Sequence, residues 1–285
     1  MKLSYRLREA LVGLSFIWIW IVGFLIFTCY PLIRTLIFSF SEVKITAEGI
    51  KTTFIGWENY RNALLMDVQF GDMVASYALE TIAMVPIIVV FALIVALLLN
   101  MKFRGKGIFR TIYFLPVIIT SGPVIKQLMD QGATTLPGIQ DIIATSRLHE
   151  TLPGLLADLI TFLLSSFITI LWFSGVQMLI FLAGLQKLDA SMYEAASIDG
   201  ASRWKAFWKL TLPALNPMII VNIVYTVIMQ SIFSLNPIII LIQSAMYDPK
   251  YGMGYSAALA WIYFLVMLAL LAILVLATRQ RETNR

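Results

Sequence analysis

Between two long uncharged runs the chain reads Lys187-Leu-Asp-Ala-Ser-Met-Tyr-Glu194-Ala-Ala-Ser-Ile-Asp-Gly200-Ala-Ser-Arg-Trp-Lys-Ala-Phe-Trp-Lys-Leu-Thr-Leu-Pro213. Taken locally, Ser191-Met-Tyr-Glu194 has the form of a capping box: the hydroxyl accepts from the amide three residues on, and the carboxylate reaches back. A short helix is predicted from about residue 192 to 198, stopping near Gly200, and a second from 202 to about 210, stopped by Pro213. On the second, Trp204, Phe207 and Trp208 fall at i, i+3 and i+4, with Lys205 and Lys209 on another side. That is the pattern of an amphipathic helix lying at a membrane interface. Ala195 and Ala196 give the first helix a shallow face that another protein's groove can approach closely. A connector that merely skims the membrane is the plainer account of the same residues.

The rest of the chain says what the loop interrupts. Of 285 residues, 60% are hydrophobic and 13% charged, against about 45–50% and about 25% in a soluble domain. A soluble globule cannot hide that much apolar surface, and disorder needs the opposite composition. The chain is expected to be an all-α integral membrane protein. A span needs about 20 apolar residues, because a helix rises about 1.5 Å per residue through a hydrocarbon core about 30 Å thick. Uncharged runs of that order are 10–33, 81–101, 159–186 and 251–278. Residues 111–125 are shorter but closed by Arg110 and Lys126, whose stems can snorkel. Residues 210–247 hold 38 uncharged positions, too many for one pass, with Pro213 and Pro217 near the start and Asn236-Pro237 ending the spanning part. Six transmembrane helices follow, with both termini on one side.

Charge fixes the side. Fourteen of the 21 basic residues precede span 1, join spans 2 and 3, join spans 4 and 5, or close the chain, with only five acidic residues among them. Lys and Arg in short flanking loops mark the cytoplasmic face, so both termini are expected there. The net charge of +5 is then a topology signal rather than a nucleic-acid patch. The first apolar run exceeds the 7–15 residues of a signal peptide's core and no small-residue cleavage site follows, so span 1 is expected to be retained. Two larger outer loops, about 39–72 and 126–158, hold most of the Gly, Pro, Asn and Asp punctuation. One cysteine, Cys29, excludes an intrachain disulfide, and one histidine, His149, leaves no His/Cys set for a metal. No metal site and no catalytic residue is expected.

Glu194-Ala-Ala-x-x-x-Gly200, with Asp199-Gly200-Ala201 inside it and Leu210-x-Leu212-Pro213 nine residues later, resembles the "EAA" signature of permease subunits in ATP-binding-cassette importers. The family prefers Ile where Leu210 stands. Ala183-Gly-Leu-Gln-Lys-Leu resembles the lead-in found in the sugar-permease branch, which is maltose-permease-like. Phe54-Ile-Gly-Trp-Glu-Asn-Tyr-Arg61 resembles that branch's outer-loop element, and Leu97-Leu-Leu-Asn100, Phe109-Arg-Thr and Leu115-Pro116 resemble its span 2–3 junction. The Gly-Gly-Pro turn common there after span 5 is replaced by Asn236-Pro-Ile and Tyr247-Asp-Pro-Lys250.

The resemblance implies a type I importer permease: an N-terminal span and outer loop over 1–71, and a five-span permease core over 72–285 carrying the coupling loop 187–213. It implies a second homologous permease, two ATPase subunits holding ATP and Mg, and an extracytoplasmic binding protein that delivers a carbohydrate, an oligosaccharide in this branch, across a bacterial cytoplasmic membrane. No G-x-x-x-x-G-K-[ST] phosphate cradle occurs, so ATP hydrolysis is not expected on this chain. The resemblance implies that Glu194, Ala195, Ala196, Asp199 and Gly200 form the coupling peg, Glu194 as a polar contact to the ATPase and Gly200 as its terminal turn. For Glu194 the capping box alone is the competing account, and both can hold at once.

For the pathway, span 5 presents Asn222, Thr226 and Gln230 at i, i+4 and i+8, with Tyr225 and Met229 beside them, and span 4 contributes Trp172, Ser174 and Gln177. Amides and hydroxyls suit sugar hydroxyls, and aromatic faces suit the apolar side of a pyranose. Hydrogen bonding between helices explains the same stripe. An ion-coupled carrier is the rival mechanism, but such carriers place ionisable groups or broken helices at mid-membrane, and spans 3 to 6 hold no internal charge. A permease for a non-sugar solute is the other alternative.

Overall fold

The computed structural model describes residues 5–46, 49–101, 105–119, 127, 153–233, 235–248 and 251–283. Among the described residues four helical stretches are long and apolar enough to cross a bilayer: Ser15–Ser39, Val68–Asn100, Phe167–Gln186 and Gly252–Thr278. A fifth arises if Arg203–Ala214 and Asn216–Ser231, bent by 62°, count as one span. The expected third span begins as helix Lys106–Ile119, and the rest of its run lies outside the described residues. So does most of the second outer loop, His149 included.

The chain packs as two compact units. The first takes residues 1–75 and 237–265. Here α1 (Tyr5–Phe24), a π-helical turn (Leu25–Cys29) and α2 (Tyr30–Ser39) follow one another without a break. The described residues are mostly helical, as expected, with one addition that the sequence did not suggest: the first outer loop folds into an antiparallel hairpin of β1 (Ser41–Thr46) and β2 (Gly49–Phe54), with Ser41 opposite Phe54 and Thr46 opposite Gly49. Val43, Ile45 and Thr46 against Thr52, Thr53 and Phe54 supply the β-branched and aromatic residues that favour a pleated strand. The Phe54–Arg61 element locks this hairpin to the end of α2. Gly56 turns at φ 64°, the Asn59 amide nitrogen donates to the carbonyls of Ser39 and Ser41, both at 3.0 Å, and the Tyr60 hydroxyl lies 2.7 Å from Ser39 Oγ. A short helix, α3 (Glu58–Arg61), follows. Gly254 faces the same place: a Cβ there would collide with the Ser41 carbonyl.

Helix α4 (Val68–Asn100) starts well before the expected position 81. The reason is Asp67, whose Oδ1 accepts from the Phe70 amide at 2.9 Å while its Oδ2 accepts from the Tyr255 hydroxyl at 2.7 Å. A capped start lets the helix run through Asp72 and Glu80.

The second unit takes residues 76–236 and 266–285. It includes α5 (Lys106–Ile119), α6 (Gly154–Ser165), α7 (Phe167–Gln186), α8 (Ala190–Ile198), α9 (Arg203–Ala206), a π turn (Phe207–Thr211), α10 (Leu212–Ala214) and α11 (Asn216–Ser231). The remaining helices among the described residues are α12 (Pro237–Tyr247) and α13 (Gly252–Thr283). The run 159–186 is not one helix. It breaks at Ser166 (φ −92°, ψ 1°), beside Ser165, whose hydroxyl donates to the Phe162 carbonyl at 3.0 Å and competes with the backbone ladder. The core joins Val85, Val89, Ala92 and Ala96 of α4 to Met178, Phe181 and Leu182 of α7 and Ile223 and Val227 of α11. These four side chains of α4 are small or β-branched, the kind that suits contacts between helices where lipid removes the hydrophobic drive.

Candidate coupling loop and translocation site

Helix α8 carries Glu194, Ala195 and Ala196 and stands out from the bundle: Glu194, Ala195, Asp199 and Gly200 are exposed, and Ala196 is half-buried. Its start departs from expectation. The cap is Asp189, not Ser191: Asp189 is extended (φ −70°, ψ 131°), and its Oδ1 accepts from the Ser191 amide at 3.0 Å. That bond, with the Ser191 side chain adding to it, holds the Asp189 carboxyl below the usual carboxylate range. The helix therefore begins at Ala190, Ser191 lies inside its first turn, and the reciprocal reach by Glu194 does not form. Among the described residues Glu194 makes no hydrogen bond or ion pair.

The end of α8 matches expectation. Gly200 takes φ 74°, the Ala201 amide donates to the Ala196 carbonyl at 2.9 Å and the Gly200 amide to Ser197 at 3.1 Å. This is the Schellman closure, which needs a residue comfortable with positive φ. Sequence reasoning missed Ile198, which is 86% exposed on the last turn of α8. Its signal was a branched apolar residue amid small and polar ones, set directly before Asp199-Gly200.

The second helix is capped by Ser202, whose hydroxyl accepts from the Lys205 amide at 3.2 Å. Contrary to expectation, Pro213 does not stop it. The Leu212 amide bonds to Phe207 five residues back, and this π turn shifts the ladder so that Pro213 falls in the first turn of α10, where its missing N–H costs nothing. The break comes at Leu215, ahead of Asn216-Pro217. Trp204 and Trp208 are exposed, their rings 5.5 Å apart, while Phe207 packs against the core.

The polar stripe of α11 is buried: Asn222 and Thr226 are inaccessible, as is Gln177 facing them from α7. The Gln177 amide nitrogen donates to Thr226 Oγ1 at 2.9 Å, and Thr226 Oγ1 donates to the Asn222 carbonyl at 2.7 Å. Helix-to-helix bonding thus accounts for Thr226 and for half of Gln177. It leaves Gln177 Oε1, both side-chain polar atoms of Asn222 and Gln230 Oε1 buried with no partner among the described residues. A buried amide atom left unsatisfied costs about 1–3 kcal/mol, so these four atoms, three on α11 and one on α7, call for polar partners from beyond the described residues. Trp172 and Tyr225 are half-buried and are not hydrogen-bonded to this cluster; Ser174 is buried and turns back to the Leu171 carbonyl at 3.0 Å. Tyr77 of α4, unmarked in the sequence reading, donates to the Gln230 carbonyl at 2.7 Å.

The model for the "Binding-protein-dependent transport system inner membrane component" family matches residues 63–281, which contain the capped peg, the bent helix pair and the buried amides. The chain belongs to this family. It is a multi-pass membrane protein and a transport component. Among its relatives, a probable ABC transporter permease protein of Bacillus subtilis, YesP, is 30% identical over 98% of this chain and 94% of its own length. The lactose transport system permease protein LacF of Rhizobium radiobacter is 34% identical over 68% of this chain and 64% of its own. The fold is similar to that of a chain in the crystal structure of a bacterial alginate ABC transporter in complex with an alginate pentasaccharide-bound periplasmic protein, with a TM-score of 0.63, 16% identity and 96% of each chain covered.

Proposed function

We propose that this permease is the transmembrane subunit of an ATP-driven importer and forms, with a second homologous permease, the pathway for a carbohydrate delivered by an extracytoplasmic binding protein. The observation that carries the reading is the exposed, doubly capped helix α8 within the family match, with Glu194 unengaged among the described residues. A rigid peg with a free carboxylate is what a separate ATPase subunit would grip. Closure of two such subunits on ATP and Mg would displace α8 and swing the flanking helices as rigid bodies. This chain itself would be non-catalytic. It would cross the bacterial cytoplasmic membrane six times, with both termini and the 187–213 loop in the cytoplasm, in keeping with the distribution of Lys and Arg.

The carbohydrate assignment draws on the relative named for lactose transport and on the chemistry of the unsatisfied amides. Gln177, Asn222 and Gln230 offer donors and acceptors that a polyhydroxylated solute satisfies as it passes. Trp172 and Tyr225 would supply ring faces beside them. The deciding experiment purifies the complex through this chain and measures ATP hydrolysis with binding protein and a panel of neutral and acidic oligosaccharides. Substrate-stimulated hydrolysis by a co-purified ATPase is the expected result; the absence of any associated ATPase overturns the proposal.

A further inference from the structure

Helix α8 is joined to α9 by residues 199–202 alone, and one of these is Gly200 in a left-handed conformation. A peg on so short a glycine-containing link would pivot rather than pull. Beyond the two backbone bonds that close the link at Gly200, one side-chain bond ties the peg to the second loop helix. The hydroxyls of Tyr193, on α8 beside Glu194, and Thr211, at the end of the π turn, lie 2.8 Å apart. Among the described residues the other side-chain hydrogen bonds of α8 stay at its own cap, between Ser191 and Asp189, so this is the one that reaches the helices beyond the loop. Thr211 is 5% exposed, so its end of the bond is shielded from competing water. Its carbonyl accepts from the Leu215 amide at 3.0 Å, and Leu215 is the residue at which the helix pair bends by 62°. Leu215 is fully buried, and its side chain lies 3.0 Å from where a Cβ on Gly184 would stand, with Met218 Cγ at 2.9 Å. Thr211 therefore holds the peg through its hydroxyl and the bend through its carbonyl, and the bend is wedged against the last turns of α7.

We infer that the Tyr193–Thr211 hydrogen bond is the strut that transmits displacement of the coupling peg to the bend at Leu215, making Tyr193 and Thr211 positioning residues for transport. The inference rests on the importer reading above. Without the strut, α8 would still seat in the ATPase, since its exposed face is untouched, but its motion would be absorbed at Gly200. ATP hydrolysis would continue while uptake fell.

The test uses the whole complex in proteoliposomes and reads solute taken up per ATP hydrolysed for wild type, Tyr193→Phe, Thr211→Val, the double variant and Thr211→Ser. Tyr193→Phe and Thr211→Val keep side-chain volume and remove only the hydroxyl. Each should lower the ratio about five-fold, the worth of one hydrogen bond, with bound ATPase and thermal stability unchanged. The double variant should be no worse than either single one, and Thr211→Ser should stay near wild type. An unchanged ratio in either single variant, losses that multiply in the double, or a fall seen only where bound ATPase is lost overturns the strut. A wild-type complex lacking ATPase overturns the importer reading itself, and the strut with it.

Discussion

Asn222 brings two donor hydrogens and a carbonyl oxygen into a place where neither end finds a partner among the described residues. Replacing such a group by an apolar one of similar volume is neutral or stabilising, because the desolvation penalty disappears with it. Asn222→Leu should therefore leave the melting temperature of the complex unchanged or raise it, while uptake falls at least several-fold. Intact uptake in a stable Asn222→Leu complex would remove Asn222 from the pathway. The stripe was legible because Asn222, Thr226 and Gln230 share one helical face. Tyr77 was not legible, since it recognises a backbone carbonyl 153 residues away. At the foot of α8, Asp189 has its folded pKa lowered by the Ser191 amide, so its contribution is full above the ordinary carboxylate range and is lost as pH falls through the folded value. Amide exchange of α8 should accelerate selectively on acidification below that range. Asp189→Ala should show the same acceleration at neutral pH, and Asp189→Ser should restore protection.

The elements show where sequence reasoning ran out. The Schellman end of α8 was readable because only glycine sits easily at φ 74°. Gly200→Ala forces a Cβ into that conformation at a cost of about 1–2 kcal/mol. It should loosen the last turn of α8 by hydrogen exchange, with Gly200→Asn recovering most of the loss. The hairpin escaped notice because its one period-2 signal, Val43 and Ile45 between Glu42 and Lys44, is only two residues long, and β2 is exposed along its length with Thr52 and Thr53 adjacent. The true end of the second loop helix escaped for another reason. Pro213 is a helix breaker only if the ladder keeps a four-residue step, and the Phe207–Thr211 turn abandons that step just ahead of it. The cap was misassigned because Asp189 and Ser191 are both good cap residues two positions apart, and only the backbone decides between them.

For the whole molecule, the most apolar 18-residue stretch of the Ser15–Ser39 span has no buried residue, and Phe16 and Phe27 are each more than 80% exposed. Such a surface is stable against lipid or another permease and unstable in water. Composition made this legible at once, because 60% hydrophobic residues leave no soluble alternative. Orientation is open to direct measurement. In a Cys29→Ser background, a membrane-impermeant thiol reagent applied to spheroplasts should label Thr52→Cys on the hairpin and spare Ser191→Cys on α8; the reverse pattern would invert the assigned topology. The π turn at Phe207–Thr211 also acts on the molecule as a change of phase. An α-helix turns about 100° per residue. One residue accommodated in a wide turn therefore rotates everything before it by that angle relative to everything after. The azimuth of the Trp204–Trp208 face is thus set independently of the Asn222–Gln230 face, from which the 62° bend at Leu215 also separates it. Deleting a single residue from this turn would keep both faces and misalign them, so that a membrane-seated loop would point the amide stripe at the wrong neighbour.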